Sequence, residues 1–355
     1  MAANLEFLIT EDFVEDLIES IKAAKAEIFI QQLTFDGDKS GLEIADELIE
    51  AVKRGVSVSI LIDCFAKRTI SDLPVSDISI KDEVAATHQM YDQMKDAGID
   101  LKFTRPLGPL NIFAWTRNHK KLFVIDDACW LGGINISDHN FSWHDFNIKF
   151  IDQAIVEAVK DDFLTTRASK YVSTSNPIIT NKAIEEVFDN LILNAKSSIV
   201  LSSPYALDIA LKNLFSKATA KEKTLIINKR SNLRIYRLIE PYLMNKMSES
   251  GCTFKSYEKF SHAKFLLIDD TKLLIGSSNY GRHSFWCDEE ICILIEDKDI
   301  IFKIREEFLD VSIPFGKINR SITVQLTGGI LSHLMILSLR IIKSTIGKYG
   351  PRLTD

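Results

Sequence analysis

The apolar positions of the chain follow a helical spacing and then a strand-like one, and this order occurs twice. Within residues 14–35, apolar side chains at 14, 17, 18 and 21 repeat with a helical period, and 27–35 is rich in strand-forming residues. Residues 184–205 repeat the order of a helix, an Ala-Lys pair and a β-rich run, so that Lys25 aligns with Lys196. The pattern predicts one architecture that is duplicated along the chain.

Helices and strands continue to alternate after each of these segments. Ser40-Gly-Leu-Glu43 matches a capping box and predicts a helix start, and Gly55 is a suitable helix end. The apolar run 56–62 then predicts a buried strand, and 225–228 takes its place in the second half. This alternation predicts an α/β fold, a sandwich with helices on both faces of a mixed sheet.

The duplication also predicts the domain organisation. A polar linker containing proline, 173–177, separates residues 1–172 from a second half at 177–316. Residues 317–355 form a tail in which Lys and Arg outnumber acids by six to one. The net charge of the chain is −6, so this excess of +5 leaves −11 on the body. An acidic body argues against broad nucleic-acid binding, which depends on Lys and Arg neutralising phosphates.

Composition narrows the class of protein further. A chain of 355 residues, 46% hydrophobic and 26% charged, can form two globular domains with separate cores. The five cysteines are odd in number and lack Cys-x-x-Cys spacing, which indicates a reducing compartment and no zinc ribbon. No basic segment followed by an apolar run opens the sequence, so we expect no signal peptide.

The candidate chemistry lies in two nearly identical decapeptides, NHKKLFVIDD at 118–127 and SHAKFLLIDD at 261–270. Polar residues recur at matching positions: His119 with His262, Lys121 with Lys264, and the Asp-Asp pairs that begin with Asp126 and Asp269. The stretch between the Ala-Lys pair and this motif is longer in the first copy, which indicates loops inserted into the first half. A buried strand explains the apolar letters but not the repeated His-x-Lys.

Residues two apart on a strand share a face, so each imidazole is expected beside an ammonium at the open end of its strand. A turn of small residues follows each motif, Gly132-Gly-Ile-Asn135 and Gly276-Ser-Ser-Asn279, and glycines let backbone N–H groups approach an anion. Two histidines, two lysines and two asparagines converging on one point would suit a phosphate.

These motifs resemble those of the phospholipase D superfamily. The resemblance covers residues 5–312 and is closest to bacterial-type cardiolipin synthases, since Trp143-His144-Asp145 and the loop 105–121 are also similar to segments of that subfamily. It implies an α/β/α sandwich duplicated about a pseudo-two-fold axis, with the active site between the halves. One departure is that five residues separate Asp126 from Gly132, whereas six separate Asp269 from Gly276. We attribute the difference to a shorter hairpin turn.

The resemblance implies a phosphohistidine mechanism with His119 as nucleophile. His262 would act as general acid and then base, and Lys121, Lys264, Asn135 and Asn279 would hold the phosphoryl oxygens. With these groups in the electrophilic role, we expect no metal and no cofactor. A metal cluster formed by Asp138, His139, His144 and Asp145 is the weaker alternative.

Two further acids are expected to orient the histidines. Asp145 and Glu290 follow His119 and His262 at nearly equal separations along the chain, and each begins a β-like run. Glu289 is the rival of Glu290. Asp126 and Asp269 lie seven residues after their histidines, on the opposite strand parity, so a structural hydrogen bond or ion pair suits them better.

The substrate follows mainly from the resemblance, which implies cardiolipin synthesis from phosphatidylglycerol. A phospholipase D-type lipid hydrolase, a nuclease of the same superfamily and a non-enzymatic membrane scaffold are the alternatives. The aromatic and basic loop 103–117 suits a membrane interface, or burial against the second half. The partners expected are a phospholipid and an anionic membrane surface, with no nucleic acid; the sequence makes no prediction of oligomeric state.

The tail predicts the mode of membrane attachment. A helix from Ile330 would gather Ser332, His333, Arg340 and Lys343 on one side, continued by the basic residues 348 and 352. We therefore expect peripheral attachment to the cytoplasmic side of an anionic membrane; a spanning helix and a helix packed on the second half are the alternatives. A protein truncated after Gly316 should then stay folded.

Overall fold

The computed structural model describes residues 5–345 and 353–354, and it divides into two compact units. One unit comprises Met1–Val172 with Tyr349–Asp355, and the other Ser173–Lys348. Each contains an eight-stranded sheet of mixed strand directions. The predicted α/β fold class is confirmed.

The first unit is assembled from an N-terminal run of helices and strands plus a strand from the C-terminus. Its strands are β1 (Leu5–Ile9), β2 (Glu27–Gln32), β3 (Ser57–Asp63), β4 (Thr69–Ile70), β5 (Leu73–Pro74), β6 (Asp100–Thr104), β7 (Leu122–Ile125), β8 (Ala128–Gly132), β9 (Phe146–Phe150) and, from the end of the chain, β18 (Leu353–Thr354). Its helices are α1 (Thr10–Ala23), α2 (Lys39–Lys53), α3 (Lys81–Asp96), α4 (Asp138–Phe141) and α5 (Gln153–Arg167). The large sheet has the order β1-β9-β8-β7-β2-β3-β6-β18, and β4 pairs with β5 separately.

The second unit repeats this arrangement. Its strands are β10 (Ile178–Thr180), β11 (Ser198–Ser202), β12 (Glu222–Ile226), β13 (Thr253–Ser256), β14 (Phe265–Ile268), β15 (Lys272–Gly276), β16 (Ile291–Ile295) and β17 (Ile313–Pro314). Its helices are α6 (Lys182–Asn194), α7 (Ile209–Lys217), α8 (Arg234–Ser248), α9 (Arg282–Cys287), α10 (Lys298–Ile304), which continues into a π-helical turn (Arg305–Asp310), and α11 (Ile322–Thr345). The sheet order, β10-β16-β15-β14-β11-β12-β13-β17, matches that of the first unit strand for strand.

Alternation along the central strands places helices on both faces of each sheet. In β2, Ile28 and Ile30 join the core under α1 and α2, whereas Phe29 contacts Phe163 of α5, with ring centroids 5.0 Å apart. In β14, Leu266 belongs to the core under α6 to α8, and its neighbour Phe265 contacts Phe308 on the other face. Because both faces are covered, β14 and the central residues 28–30 of β2 are continuously apolar rather than alternating.

The start of α2 differs from the predicted capping box. The N-cap is Asp38, whose side chain accepts from the backbone N–H of Gly41, and the helix begins at Lys39. Ser40 therefore lies inside the first turn, and its hydroxyl donates to Asp138 instead. Asp is as good an N-cap as Ser, so the true start two residues earlier is equally favourable locally.

Helix α11 begins earlier than predicted and packs on the second unit. The Cβ of an alanine at Gly328 would lie 2.7 Å from Tyr242 Cβ, so α8 and α11 are in close contact. Ser332, predicted on a polar edge, is buried there, and Ile336 and Leu339 pack with Cys287 of α9. The opposite face is exposed and apolar. Lys348, Arg352 and Asp355 of the predicted tail lie outside the described residues.

Candidate active site

Both His-x-Lys segments lie immediately before the central antiparallel strand of their own sheet. His119 and Lys121 precede β7, which pairs with β2 on one side and β8 on the other. His262 and Lys264 precede β14, which pairs with β11 and β15. Every residue of both strands is buried, so the first polar side chains are those at the strand start.

Each motif lysine is folded back onto its own histidine. Lys121 Nζ donates to the backbone oxygen of His119 at 2.9 Å. Lys264 Nζ donates to the backbone oxygen of His262 at 2.7 Å and lies 2.9 Å from both ring nitrogens of that histidine. Both lysine side chains are fully buried. A buried ammonium beside an imidazole provides a fixed positive charge where a phosphoryl group would meet the ring.

An acid and an amide at equivalent positions hold the backbone just before each histidine. Asp63, at the end of β3, accepts from the N–H of Asn118 at 2.6 Å and from Arg117 Nη1 at 2.7 Å. In the second unit, Asn228 accepts from the N–H of Ser261 at 2.8 Å and donates to its carbonyl at 2.9 Å. Sequence reasoning missed both residues, since they lie far from the motifs along the chain.

Burial and the ion pair act in opposite directions on Asp63. Complete burial raises its pKa to about 6, although Arg117 and two backbone N–H groups favour the charged form. The contacts with Arg117 and the N–H of Asn118 oppose the effect of burial on this carboxyl group. Arg117, in this pair, and Arg105 are both buried, so neither is the membrane-facing cation that the loop composition suggested.

The residue between His119 and Lys121 points to the other face of its strand. Lys120 Nζ lies 2.8 Å from both carboxylate oxygens of Asp162, which is on α5. The second copy has Ala263 in this position, so this pair belongs to the first unit only. It anchors α5 beneath the sheet and is separate from the His-x-Lys face.

The motif acids fasten the far end of the strand. Asp126 accepts from the N–H groups of Lys25, Ala26 and Glu27, at 2.8 to 3.0 Å. Asp269 makes the same contacts to Lys196, Ser197 and Ser198, and also accepts from the hydroxyl of Ser197. The repeated Ala-Lys pair thus marks the strand start that each acid caps. Partial burial opposes the charge of Asp269, yet these donors lower its pKa to about 2.

The unequal motif lengths are absorbed in the hairpin turns, as predicted. Ile125 pairs with Ala128, leaving a two-residue turn, whereas Ile268 pairs with Lys272, leaving three. In both hairpins the register therefore sets the motif lysine opposite its glycine, Lys121 opposite Gly132 and Lys264 opposite Gly276. The glycines serve close strand packing: a Cβ at Gly276 would lie 2.2 Å from the carbonyl oxygen of Ile291.

Asn135 and Asn279 occupy matching positions after these glycines. Asn135 Nδ2 donates to Asn140 at 3.3 Å, and the backbone N–H of Asn279 donates to Ser284. The buried side-chain oxygens of both asparagines have no hydrogen-bond partner within residues 5–345 and 353–354. The amides are therefore incompletely satisfied by protein.

Asp145 and Glu290 are structurally equivalent, since each directly precedes the strand that pairs with the glycine-ending one, β9 or β16. The carboxylate of Glu290 accepts from the hydroxyls of Ser277 and Ser284. Asp145 Oδ1 accepts from the N–H of Phe146 at 2.9 Å. The positions matching the two serines are Gly133 and Asn140, so the first unit has no equivalent serine pair. Glu289, the rival acid, is also buried.

An aromatic residue missed in the sequence lies beside the second histidine. The ring of Tyr205 is edge-on to His262, with centroids 6.4 Å apart, and its hydroxyl donates to Asn232 at 2.7 Å. Tyr205 follows β11 at the end of the repeated helix-strand segment. The long stretch of chain between Tyr205 and His262 hid the relationship.

The residues of the alternative metal cluster are engaged separately. His139 pairs with Asp72 at 3.2 Å, which raises its pKa, and Asp138 accepts from Ser40. Within the described ranges, no group of three or more His, Cys, Asp or Glu side chains has an arrangement that could hold a metal ion.

Comparison with known proteins identifies one family over most of the chain. The family described as "Cardiolipin synthase, PLD-like domain" matches residues 17–167 and 188–311. Major cardiolipin synthase ClsA of Bacillus subtilis is 26% identical over 336 residues, which cover 84% of this chain and 66% of that protein. Cardiolipin synthase 1 of Staphylococcus aureus strain COL is 26% identical over 338 residues, 84% of this chain and 65% of its own length. The chain thus spans just under two thirds of these relatives.

A solved structure shows the same fold. Phosphatidylserine synthase of Haemophilus influenzae superimposes with a TM-score of 0.69 at 17% identity, over 98% of this chain and 95% of that one. At this identity the likeness concerns the fold alone.

Proposed function

Because the chain belongs to the family described as cardiolipin synthase, PLD-like domain, we propose that it is a phosphatidyltransferase that makes cardiolipin from phosphatidylglycerol. The observation that supports this most is the duplicated site: a histidine and a buried lysine at the same point of two matching sheets. Both copies keep the His-x-Lys pair that the proposed transfer through a histidine uses.

In the proposed first step, His119 attacks the phosphorus of one phosphatidylglycerol. A nitrogen–phosphorus bond forms as the bond to the glycerol oxygen breaks, and His262 donates a proton to the leaving glycerol. The assignment of His119 as nucleophile comes from the family resemblance.

In the second step, a hydroxyl of another phosphatidylglycerol attacks the phosphohistidine. His262 takes the proton of that hydroxyl, the new oxygen–phosphorus bond forms, and the bond to His119 breaks. Cardiolipin leaves and both histidines return to their starting protonation states.

The groups around the histidines would carry the charge of the reaction. Lys121 and Lys264 neutralise the phosphoryl oxygens, and the side-chain N–H groups of Asn135 and Asn279 donate to them. Asp145 and Glu290 orient the histidine rings, with Glu290 itself fixed by the serine hydroxyls. Asp126 and Asp269 contribute only to the strand ends.

We further propose that the protein is attached peripherally to the cytoplasmic side of an anionic membrane through α11. This helix is long and apolar enough to cross a membrane, but one face packs against α8 and α9, which favours an in-plane position. Six aliphatic side chains on its outward face are each more than half exposed: Ile322, Leu326, Ile330, Leu334, Leu337 and Ile341. The five cysteines are free buried thiols, in keeping with a reducing compartment.

The test is a product assay with purified protein and labelled phosphatidylglycerol in mixed micelles. We expect cardiolipin and free glycerol in equal amounts, and none with His119→Ala or His262→Ala. Phosphatidic acid as the sole lipid product would identify a hydrolase instead. Cleavage of DNA or RNA that His119→Ala abolishes would identify a nuclease.

A further inference from the structure

The segment that leads into α8 presents cationic and large aliphatic side chains together. We call it the α8 rim, formed by Lys229, Arg230, Leu233, Arg234, Ile235, Arg237 and Leu238. All seven side chains are exposed, including Leu233, Ile235 and Leu238 at 42–51%. Exposed aliphatics are individually common, but three interleaved with four cations on one short segment are typical of an interfacial surface.

The cations of the rim are largely unneutralised. Lys229 pairs with Glu258 at 2.9 Å, and Arg237 donates to the carbonyls of Ser231 and Asn232. Arg230 and Arg234 have no ion-pair partner in the part of the chain that the structure describes. Residues 229–239 include no acid, so the rim carries a net positive charge on an otherwise acidic body.

The rim lies beside the first half of α11. The carbonyl of Leu238 lies 3.0 Å from the position of a Cβ at Gly328, so the start of α8 and the first half of α11 are neighbours. Residues 317–345 contain no Asp or Glu. The start of α8 and α11 therefore present aliphatic side chains and cations next to each other. Neither the rim nor residues 317–345 contain an acid.

Hydrogen bonds connect the rim to Tyr205, which makes a ring contact with the second histidine. Asn232, inside the rim segment, accepts from the hydroxyl of Tyr205, whose ring is edge-on to His262. Tyr236 of α8 donates to the carbonyl of Tyr205 at 3.0 Å. Tyr205 would thus fix the position of His262 relative to any partner surface that binds the rim.

We propose that the α8 rim docks the second unit on an anionic phospholipid monolayer. Arg230 and Arg234 contact lipid phosphates, and Leu233, Ile235 and Leu238 enter the boundary between headgroups and acyl chains. This inference rests on the proposed lipid function and adds to it the surface that faces the substrate layer. Nucleic acid would use the cations alone, whereas the aliphatic side chains need an apolar partner.

The experiment measures binding of the full-length protein to sedimenting vesicles of phosphatidylcholine and phosphatidylglycerol, mixed two to one. Arg230→Gln with Arg234→Gln should weaken binding by roughly thirtyfold at 0.1 M NaCl. The effect should vanish in 1 M NaCl and on pure phosphatidylcholine, because it is electrostatic. Leu233→Ser with Leu238→Ser should weaken binding at both salt concentrations.

The matched control is Lys53→Gln with Lys303→Gln, which removes two exposed charges from α2 and α10. It should change binding less than twofold. Wild-type vesicle binding by the arginine variant, with an unchanged melting temperature, would overturn the proposal. An equal loss of vesicle binding in the control would also overturn it. So would an arginine variant that loses DNA binding but keeps vesicle binding.

Turnover in detergent micelles separates this proposal from the proposed function. The arginine variant should keep its micellar kcat within about twofold, because no catalytic group is changed. If the wild-type protein makes no cardiolipin but the rim variants bind vesicles poorly, the proposed function is wrong and the docking role of the rim is supported. If the wild-type protein makes cardiolipin and the rim variants bind vesicles normally, only the docking role of the rim is wrong.

Discussion

At the residue scale, the consecutive lysines 120 and 121 have different roles. Lys121 is buried against the backbone of His119, whereas Lys120 is paired with Asp162 across the strand. The sequence could predict the first because its partner lies two residues away and the pattern recurs. It could not predict the second, because Asp162 lies 42 residues further along the chain and only the folded structure brings it to Lys120.

Substitution of each lysine by methionine should separate stability from chemistry. Lys120→Met leaves the buried carboxylate of Asp162 without its cation, and we expect a loss of about 3–5 kcal/mol in unfolding free energy. Lys121→Met should instead lower kcat by at least a hundredfold, with a smaller effect on stability. Urea unfolding and micellar turnover on both variants check this, and a reversed pattern would contradict the assigned duties.

The same limit applies to Asp63 and Asn228. Each is the first polar residue after an apolar run, a common feature that gives no sign of function by itself. Their importance follows from parallel pairing, which brings the ends of β3 and β12 beside the residues that precede the two histidines. The sequence gives the identity of both residues but not which backbone groups they contact.

At the element scale, the hairpins were predictable because their information is local. The number of residues between the motif aspartate and glycine determines the turn length. The register in both hairpins agrees with the predicted one-residue difference. The start of α2 was not predictable, since Asp38 and Ser40 both suit an N-cap. The contact of Ser40 with Asp138, on another helix, accompanies the earlier start.

The contact of Asp269 with the start of β11 predicts a pH dependence. The folded pKa of about 2 is below the ordinary value of 3.8, so the ionised carboxylate stabilises the fold at higher pH. This contribution is complete above about pH 5 and is lost as the pH falls toward 2. The difference in urea unfolding free energy between wild type and Asp269→Asn should therefore shrink from pH 5 to pH 2. A difference that grows in acid would contradict the assignment.

At the scale of the whole molecule, the tail is more integrated than the sequence indicated. A truncation after Gly316 would uncover the face of α8 now covered by α11, and would remove β18 from the sheet of the first unit. Such a protein would lose stability for reasons unrelated to membranes. The sequence left a helix packed on the second half as one alternative, and it could not show which face would pack against α8 and α9.

Substitutions on the outward face of α11 test attachment without this complication. Leu326→Gln with Leu334→Gln changes two half-exposed side chains, so the melting temperature should stay within a few degrees. Partitioning into vesicles should fall by roughly tenfold or more, because the burial of two leucine side chains in the interface is lost. Unaltered partitioning would assign attachment to another surface.

The proposed chemistry also predicts activity in excess EDTA. The ammonium groups of Lys121 and Lys264 are proposed to supply the positive charge that a divalent ion supplies in other phosphoryl-transfer enzymes. Cardiolipin formation should remain within twofold of its initial rate. Full loss, restored by adding back a divalent cation, would contradict this assignment of the charge.

The central claim is that a phosphatidyl group passes through His119. The most direct measurement is mass spectrometry of His262→Ala after brief exposure to a phosphatidyl ester whose leaving group, p-nitrophenolate, needs no general acid. We expect a peptide containing His119 that carries one phosphatidyl group, and no adduct when His119→Ala is added to the same protein. An adduct on another residue, or p-nitrophenol release that persists in the double variant, would contradict the claim.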